Sequence, residues 1–575
     1  MGGLIKYKIL KVIIILCLIN MVAIAQQKNI GVNQIPRETV FLSSNSNVFV
    51  VGETLYYNFF CLAANKSLSS ISKLGYVALL GENGQTLFKH KLLLNKGLGN
   101  GDYFISTEIK TGQYKLVAYT KWMKNANPLF LKDIYIINPF LINKNTNKKE
   151  SVIIQIDTTE IEAPKVNSQN IQVETKFNNV QLRSLVSVDL KNSLGDLYNG
   201  NYSISVRKVN PIEIISNAVV NDNVVINKKN NFNLLPEIRG EIVSGLVKFK
   251  TNDSLVANIN VGLSIPGKNF ILKNAKTNSS GRFYFSLYEN YNSSDVLVQV
   301  LNENNNNYKI VLDDPDFYDY SNLSFSKIHL NKNLYDWLVS QSVYNQIEST
   351  YYDSKKDSVI IREPNAPFYM KPDVEYLLDD YKRFSTLRET FVEIIQSCAI
   401  RKQNGVYKFK VNDLVEDRVS SYSNLDPLVL FDGVLIENNQ DIIDYDAFNI
   451  KRIDVVRGTY FYGPSIFYGI VDIKTKNGDF TLPENANDKL YFKLDAPLNS
   501  KSFYKPNYKS EKDDLKRIPD YRRQLLWLPS IQIDSGIKTI EFYTSDVEGT
   551  FEIVLDGFTN DGKYIVSKKH FKVKK

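Results

Sequence analysis

Histidine and cysteine are the residues whose side chains most often carry catalysis or bind metal ions. This chain of 575 residues has three histidines, His90, His329 and His570, far apart in sequence. None has a second ligand at helical or hairpin spacing, and neither a G-x-S-x-G motif nor a phosphate-binding glycine loop occurs. The sequence therefore predicts a protein that is not an enzyme and that uses no cofactor or metal ion.

The cysteines lead to the same expectation. Cys61 and Cys398 lie in the apolar stretches FFCLAA and IIQSCAI, and Cys398 has no histidine near it in sequence. Apolar surroundings are typical of buried structural thiols. Whether the two cysteines pair is left open by the sequence, with two buried thiols as the favoured alternative.

One acidic run could bind calcium through its carboxylates. The stretch LDDPDFYDY, residues 312–320, contains Asp313, Asp314, Asp316 and Asp319. Its spacing does not fit the EF-hand loop. A solvated link between domains is therefore the favoured interpretation.

The N-terminus predicts export. Three lysines at positions 6, 8 and 11 precede an apolar run at 12–18, and Ala23-Ile24-Ala25 forms a small-x-small cleavage signal. Residues 1–25 are therefore expected to be a signal peptide, and an uncleaved anchor is the alternative. Removal of the three lysines lowers the net charge from +8 to +5, and this dispersed charge predicts no binding of nucleic acid.

Short alternating runs of Val, Ile, Tyr, Phe and Thr between turn residues predict β-strands along most of the chain. TVFLSSNSNVFVVGETLYYNFFC and TGQYKLVAYTKWM lie within residues 36–140, which resemble a macroglobulin-type β-sandwich. Residues 485–575, with TIEFYTSDVEGTFEIVLDGF, resemble another domain of that type. Residues 165–230 predict a second β-sandwich. The Cys-Gly-Glu-Gln motif of the thioester protease traps is missing.

A smaller β-domain is expected at residues 236–315, where IRGEIV, VGLSIPGKN and TNSSGRFYFSL follow one another. They resemble the transthyretin-like domain named after the regulatory domain of carboxypeptidases. That resemblance implies a seven-strand sandwich without catalytic groups. Residues 330–370 predict a helical linker, in which LYDWLVSQSVYNQI forms a docking helix with one apolar stripe: Leu334, Leu338, Tyr344 and Ile347.

Residues 381–480 predict a compact α/β unit. TLRETFVEIIQSC gives a helix with a capping box, and PLVLFDGV, IKRIDVVRG and GIVDIKTKNG give strands with a hairpin turn at Asp432-Gly433. The order of these pieces resembles the plug domain of TonB-dependent receptors of the Bacteroidetes type, without the barrel. The expected helix carries an apolar stripe of Leu387, Phe391, Ile394, Ile395 and Cys398.

The link TYFYGPSIFYG departs from the small-residue link of that family. Its aromatic residues are candidates for a partner contact, because Tyr and Phe are enriched in interface cores. The alternative is that they pack in the core of the unit itself. Arg457 and Asp432 are expected to be turn and surface residues. The candidate contact residues are Tyr460, Phe461, Tyr462, Phe467 and Tyr468.

The sequence thus predicts a mostly β, multidomain array of β-sandwiches, macroglobulin/Ig-like and transthyretin-like, with one α/β plug-like module. The expected function is that of a non-enzymatic periplasmic interaction subunit, associated with the outer membrane. It would dock through the plug-like module onto an outer-membrane β-barrel protein, with other envelope subunits, for transport or barrel assembly. The alternative is a ligand-binding or substrate-capture protein in TonB-linked nutrient uptake.

Overall fold

The computed structural model describes the chain from residue 36 onward, apart from short gaps. The expected signal peptide, residues 1–25, lies outside the described residues, as do three aspartates of the acidic run, Asp314, Asp316 and the side chain of Asp319. Within the described ranges, no helix has the length and apolarity to cross a membrane. The described ranges are 36–125, 129–141, 151–156, 171–193, 195–215, 227–228, 234–292, 294–301, 305–313, 318–363, 365–403, 405–412, 422, 424–482, 489–509 and 517–575.

Strands dominate the described chain, as the alternating pattern predicts. The first group is β1 (Glu38–Ser44), β2 (Val48–Val50), β3 (Thr54–Ala63), β4 (Leu74–Leu80), β5 (Thr86–Leu93), β6 (Leu98–Phe104), β7 (Gly112–Tyr119), β8 (Phe130–Ile137), β9 (Ser151–Ile156), β10 (Ile171–Thr175), β11 (Asn179–Gln181), β12 (Leu185–Asn192), β13 (Gly200–Lys208), β14 (Ile212–Ile215) and β15 (Asn227–Lys228). The second group is β16 (Glu241–Phe249), β17 (Asn260–Ile265), β18 (Ile271–Lys276), β19 (Arg282–Leu287), β20 (Ser294–Leu301), β21 (Tyr308–Leu312), β22 (Tyr318–Asp319) and β23 (Lys327–Leu330).

Two α-helices and the remaining strands follow along the chain. The helices are α1 (Tyr335–Thr350) and α2 (Leu387–Glu393). The strands are β24 (Ser358–Val359), β25 (Val374–Leu377), β26 (Cys398–Gln403), β27 (Val406–Val411), β28 (Leu428–Phe431), β29 (Val434–Leu435), β30 (Ile450–Tyr462), β31 (Ser465–Thr475), β32 (Lys489–Leu494), β33 (Lys501–Ser502), β34 (Gln524–Ile533), β35 (Gly536–Tyr543), β36 (Gly549–Thr559) and β37 (Tyr564–Lys574). The mostly β, multidomain fold class is confirmed.

The first sandwich packs the sheet β1-β3-β6 on the sheet β2-β8-β7-β4-β5. Its core holds fully buried side chains from both sheets, such as Phe49, Phe59, Leu79 and Leu116. Burying apolar surface of this kind is the main stabilising contribution to such a fold. Cys61 is a free thiol in the same core.

Helix α1 packs on the edge of the first sandwich formed by β2 and β8. Leu334 and Leu338 are buried there in one cluster with strand residues of the sandwich. The Asn345 side-chain amide donates to the carbonyl oxygen of Val51 at 3.0 Å. The docking helix expected at residues 334–347 is confirmed, and its bounds are Tyr335–Thr350.

The second sandwich differs from the prediction. The sequence predicts separate sandwiches at residues 165–230 and 485–575, and this is wrong. The strands of both segments pair with each other, in the sheets β10-β12-β35 and β11-β37-β36-β13-β34. Strand β13 lies between β36 and β34, and β11 pairs with β37 in parallel. The sandwich therefore consists of four strands from the first segment and four strands encoded more than 300 residues later.

The third sandwich also takes a strand from elsewhere. Six strands from residues 241–312 form the sheets β19-β16-β21 and β18-β17-β20, and β32 adds to the edge at β20. Strand β32 therefore belongs to this sandwich and not to a C-terminal domain that begins at residue 485. Its pairing with β20 covers an edge that would otherwise stay open.

The unit between β24 and β32, termed the hairpin unit, contains the mixed sheet β25-β30-β31-β28-β29, the ribbon β26-β27 and α2. Strand β28 runs parallel to β31, and the other neighbours in the sheet are antiparallel. Asp432 and Gly433 both have positive φ, 48° and 83°, as a two-residue hairpin turn requires. The predicted turn is confirmed.

Helix α2 has the predicted capping box but is shorter than expected. Thr386 and Glu389 cap it reciprocally, and it ends at Glu393. The expected helical stripe to Cys398 is therefore wrong beyond residue 393. The β-branched Ile394 and Ile395 lead towards β26 and are nevertheless buried, as is the free thiol of Cys398, with which β26 begins.

Candidate partner-contact site

The candidate contact residues lie on a long hairpin of β30 and β31. Beyond Val456 the register shifts, and Thr459–Tyr462 pairs only with residues 465–468 of β31. The neighbouring strands β25 and β28 pair with the hairpin nearer its base. A β-bulge of this kind increases the local twist and bends the ribbon. The hairpin therefore has a base inside the sheet and a tip that extends beyond it.

Two tyrosines of the tip bind back to the protein. The hydroxyl of Tyr460 donates to the carbonyl oxygen of Phe368 at 3.2 Å. The hydroxyl of Tyr462 donates to the carbonyl oxygen of Leu272 in β18. The rings of Tyr462 and Phe368 are 4.3 Å apart between centroids. These contacts fix the tip against the third sandwich and the segment before β25.

The other three candidate residues divide between core and surface. Tyr468 is buried, and Phe467 is partly buried against the cluster that includes Leu428 and Ile470. Phe461 points outward with 66% of its surface exposed. The two alternatives for the aromatic segment therefore both apply. Four of its residues pack within the protein, and one faces solvent.

Phe461 belongs to a small exposed apolar area. The centroid of its ring lies 6.3 Å from the centroid of the Tyr422 ring. In the hairpin register, Phe461 lies opposite Ile466. Leu425 adjoins Tyr422, to whose carbonyl oxygen its backbone amide donates. We define these four residues as the tip patch: Tyr422, Leu425, Phe461 and Ile466, with exposed fractions of 43%, 41%, 66% and 39%.

The hairpin base contains a buried pair of carboxylates that the sequence analysis does not identify. Asp454 and Asp472 are cross-strand neighbours with almost no exposed surface. The ammonium group of Lys474 lies 2.8 Å from Asp454 Oδ2 and 3.1 Å from Asp472 Oδ2. The hydroxyl of Tyr369 donates to Asp472 Oδ2 at 2.6 Å. Among the described atoms, Oδ1 of each aspartate is buried without a hydrogen-bond partner.

Burial is the main influence on the pKa of Asp472. It raises the pKa of Asp472 to about 6, although Lys474 and the Tyr369 hydroxyl favour the charged form. The carboxyl group of Asp472 therefore changes between its protonated and its ionised form around pH 6. The only sequence signal for the pair is one aspartate in each of two otherwise apolar stretches, RIDVV and GIVDI.

Asp432 and Arg457 differ from each other in the structure. Asp432 lies at the predicted turn but is buried, so its expected place on the surface is wrong. Its carboxylate accepts hydrogen bonds from the backbone amides of Thr475 at 2.8 Å and Phe480 at 3.0 Å. The backbone amide of Arg457 donates to Asp373 at 2.7 Å. Both residues therefore make their hydrogen bonds within the hairpin unit.

The histidines lie in separate parts of the protein. His90 Nδ1 is 2.7 Å from the hydroxyl of Tyr57, and burial lowers the pKa of His90 to about 4. His570 pairs with Glu552 at 3.1 Å. Across the described ranges, no group of three His, Cys, Asp or Glu side chains is placed to hold a metal ion. Asp313 of the acidic run pairs with Arg282 at 2.6 Å.

Comparison with protein-family models finds no match, and comparison with curated proteins finds none either. Among solved structures, Escherichia coli alpha-2-macroglobulin activated by porcine elastase is similar at 10% identity and TM-score 0.24, over 93% of this chain and 44% of that chain. Salmonella alpha-2-macroglobulin reacted with methylamine is similar at 8% identity and TM-score 0.24, over 94% and 40%. The chain thus spans less than half the length of these macroglobulins.

The adhesin InvE of Yersinia pseudotuberculosis is similar at 11% identity and TM-score 0.13, over 51% of this chain and 64% of that chain. Macroglobulins, which residues 36–140 and 485–575 resemble in sequence, are thus among the solved structures that are similar to this chain. At such low overlap, neither an activity nor a partner follows from these likenesses.

Proposed function

We propose that this chain is a non-enzymatic interaction protein whose hairpin unit docks onto a β-barrel protein of the outer membrane, in a complex for transport or barrel assembly. The tip patch carries this proposal, because its four exposed residues come from two chain segments that meet where the ring of Tyr422 approaches the ring of Phe461. An exposed apolar area with aromatic side chains is suited to a protein contact. A barrel as the partner rests on the resemblance of residues 381–480 to receptor plugs.

The fixed geometry of the tip supports this function. The hydroxyls of Tyr460 and Tyr462 bind two other segments of the chain, so the hairpin is held at its back while Phe461 faces outward. A contact surface that is already ordered loses less conformational entropy on binding. The tip patch is therefore suited to insert into a concave partner surface without rearrangement.

The proposed compartment is the periplasm at the outer membrane, and it rests on the export signal expected in residues 1–25. The proposed lack of catalysis rests on the dispersed histidines and on the burial of both described thiols. Assays of the purified chain with generic ester and peptide substrates would test the second point. Turnover that survives purification to homogeneity would contradict a purely binding role.

The contact is best tested with single substitutions, because the hairpin unit is connected to the third sandwich by shared packing. Phe461→Asp places a charge in the tip patch, where it is exposed and should not unfold the chain. Phe177→Asp is the matched control, since Phe177 is 68% exposed on the second sandwich. Tagged chains would be purified from detergent-solubilised envelopes, and the associated proteins identified by mass spectrometry.

We expect one β-barrel protein to purify in near-equal amount with the wild-type chain and with Phe177→Asp. Phe461→Asp should reduce its recovery about tenfold or more, as substitution of a central aromatic contact does. Recovery of the wild-type chain alone would contradict the docking function. Equal loss with both variants would assign the effect to general surface change and not to the tip patch.

A cleft between the first and third sandwiches favours ligand capture as a second candidate function. It has a volume of about 360 Å³, and aromatic rings of Tyr76, Tyr119, Tyr284 and Phe492 contribute to its lining. This volume lies within the range of small-molecule sites. Calorimetric titration with a neutral oligosaccharide should give binding heat that Tyr284→Ala abolishes. No heat with the wild-type chain would exclude this ligand class.

A further inference from the structure

A second cleft, between the first and second sandwiches, has an unusual charge composition. It has a volume of about 550 Å³ and is bordered by the turn after β1, by β8, and by strands β13, β36 and β37. Four cationic side chains line it, with Glu552 as the carboxylate of the lining. The cationic residues are Lys132, Arg207, Lys208 and Lys568.

The carboxylates that lie nearest the cleft already have basic partners. Glu552 lies 3.2 Å from Lys568 and 3.1 Å from His570. Behind the cleft, Glu53 Oε1 lies 3.0 Å from Arg207 and 3.3 Å from Arg523, so one carboxylate serves two guanidinium groups. Two further carboxylates, Asp556 and Glu548, act electrostatically on Lys132 and Lys208. Among the described residues, five cations face these four carboxylates, so the region keeps a small excess of positive charge: Lys132, Arg207, Lys208, Arg523 and Lys568.

Among the described residues, Lys132 and Lys208 form no ion pair, and Arg207 shares Glu53 with Arg523. The ammonium group of Lys132 donates to the Ser44 hydroxyl at 2.7 Å, which is a neutral partner. Arg207 is buried, and among the described residues its Nε has no hydrogen-bond partner. Over the same residues, the ammonium group of Lys208 has no hydrogen bond or ion pair, although its backbone amide donates to the carbonyl oxygen of Arg523 at 2.8 Å. Burying charged groups without an opposite charge is unfavourable.

The ionisation of Lys208 agrees with this excess. Burial and the neighbouring charge of Arg523 lower the pKa of Lys208 to about 8, while Glu548 partly opposes the shift. Burial also lowers the pKa of Arg523 to about 10, even though Glu53 favours its charged form. A bound anion would restore both groups towards their ordinary values.

We propose that this cleft binds the phosphate or sulfate group of a ligand, with Lys132, Arg207 and Lys208 as the residues that contact it. Arg and Lys both bind such groups through charge-assisted hydrogen bonds. The several oxygens of such a group can accept hydrogen bonds from both ammonium groups and from the guanidinium Nε, which among the described residues has no partner. The cleft volume leaves room for more than the anion alone, so the group can belong to a sugar or to a lipid headgroup.

The test is calorimetric titration of the full chain with inorganic phosphate and with sulfate, at constant ionic strength against chloride. Lys208→Gln removes a cation whose ammonium group forms no hydrogen bond or ion pair among the described residues, so the substitution should leave the fold intact. Its expected effect is a dissociation constant raised about tenfold, the usual loss for one hydrogen bond to a charged group. Lys132→Gln is the second variant, and Lys356→Gln, in an exposed pair with Asp353, is the control.

Circular dichroism establishes that each variant is folded before titration. Binding of phosphate to the wild-type chain and to Lys356→Gln, but weakened in both cleft variants, would support the site. Competition by phosphatidylglycerol vesicles but not by phosphatidylcholine vesicles would assign the group to a lipid, and no competition to a soluble ligand. Absence of binding to phosphate, sulfate and both vesicles, or unchanged binding by Lys208→Gln, would overturn it.

Discussion

The base and the tip of the β30–β31 hairpin belong to the same two strands but have opposite chemistry. At the base, two ionisable side chains, Asp454 and Asp472, are excluded from water. At the tip, apolar side chains such as Phe461 and Ile466 are exposed to it. Each arrangement is the reverse of what burial favours for its residue type. Such reversals mark residues that are retained for a specific contact or for function.

The two ends also differ in what holds them. The base depends on a compact cluster, in which Lys474 and Tyr369 compensate the carboxylates. The tip depends on two tyrosine hydroxyls that bind the backbone of other segments. Substitutions at the base should therefore affect the stability of the hairpin strongly. Substitutions at the tip should affect it weakly and act mainly on binding.

Lys474→Met should have the largest effect on stability. It removes the cation that Asp454 and Asp472 share and leaves Arg452, which lies 3.0 Å from Asp454 Oδ2. The loss should therefore be about 3 kcal/mol, the lower end of the range for removing one partner of a buried pair. The measurement is hydrogen exchange of the β30 and β31 amides, because a chain of several domains does not unfold as one unit. Lys408→Met, which breaks an exposed pair with Asp426, should change the local free energy by less than about 1 kcal/mol.

Unchanged protection of the β30 and β31 amides in Lys474→Met would contradict this account of the base. It would mean that the aspartates are compensated by protonation and not by the lysine. The difference in stability between the base and the tip of the hairpin would then come from packing alone.

The sequence predicts parts of this fold that are local in the chain. The capping box of Thr386 and Glu389 and the turn at Asp432-Gly433 depend on neighbouring residues, and both form as expected. The composition of the second sandwich depends instead on which distant strands meet. Strand β13 has the alternation of any half-buried strand, and nothing in it specifies neighbours in β34 and β36.

The same distinction applies to the site. An excess of aromatic residues marks the tip in the sequence, but their directions follow from the shifted register between Val456 and Thr459. Tyr422 joins the tip patch from a separate segment, which spacing cannot reveal. Asp454 and Asp472 each resemble a single polar residue in an apolar strand. Only the pairing of the two strands makes them one site.

The base should also differ from the tip in the way its stability depends on pH. Because the pKa of Asp472 is raised from 3.8 to about 6, the folded hairpin binds this proton more tightly than the unfolded chain does. The stabilisation is complete below pH 4 and is lost as the pH rises to 6. It should amount to about 2–3 kcal/mol for a shift of this size.

The variant Asp472→Asn has no titratable carboxyl group at this position, so it serves as the reference for the pH dependence of the wild type. The local free energy of the wild-type hairpin minus that of Asp472→Asn should fall as the pH rises from 4 to 7. Hydrogen exchange corrected for intrinsic rates at each pH measures the difference. A difference that stays constant, or rises, over this interval would show that Asp472 remains ionised in the folded protein.

Tyr462→Phe at the tip should have the smallest measurable effect. It removes the hydroxyl that donates to Leu272 and keeps the ring against Phe368, so the loss should be about 1 kcal/mol, the usual net value of one hydrogen bond. Phe461→Ala is its counterpart on the exposed side and should stay within about 0.5 kcal/mol of the wild type. Hydrogen exchange of the amides of Thr459–Tyr462 measures both. A larger loss in Phe461→Ala than in Tyr462→Phe would show that the tip patch stabilises the hairpin, and its role as a free contact surface would then have to be abandoned.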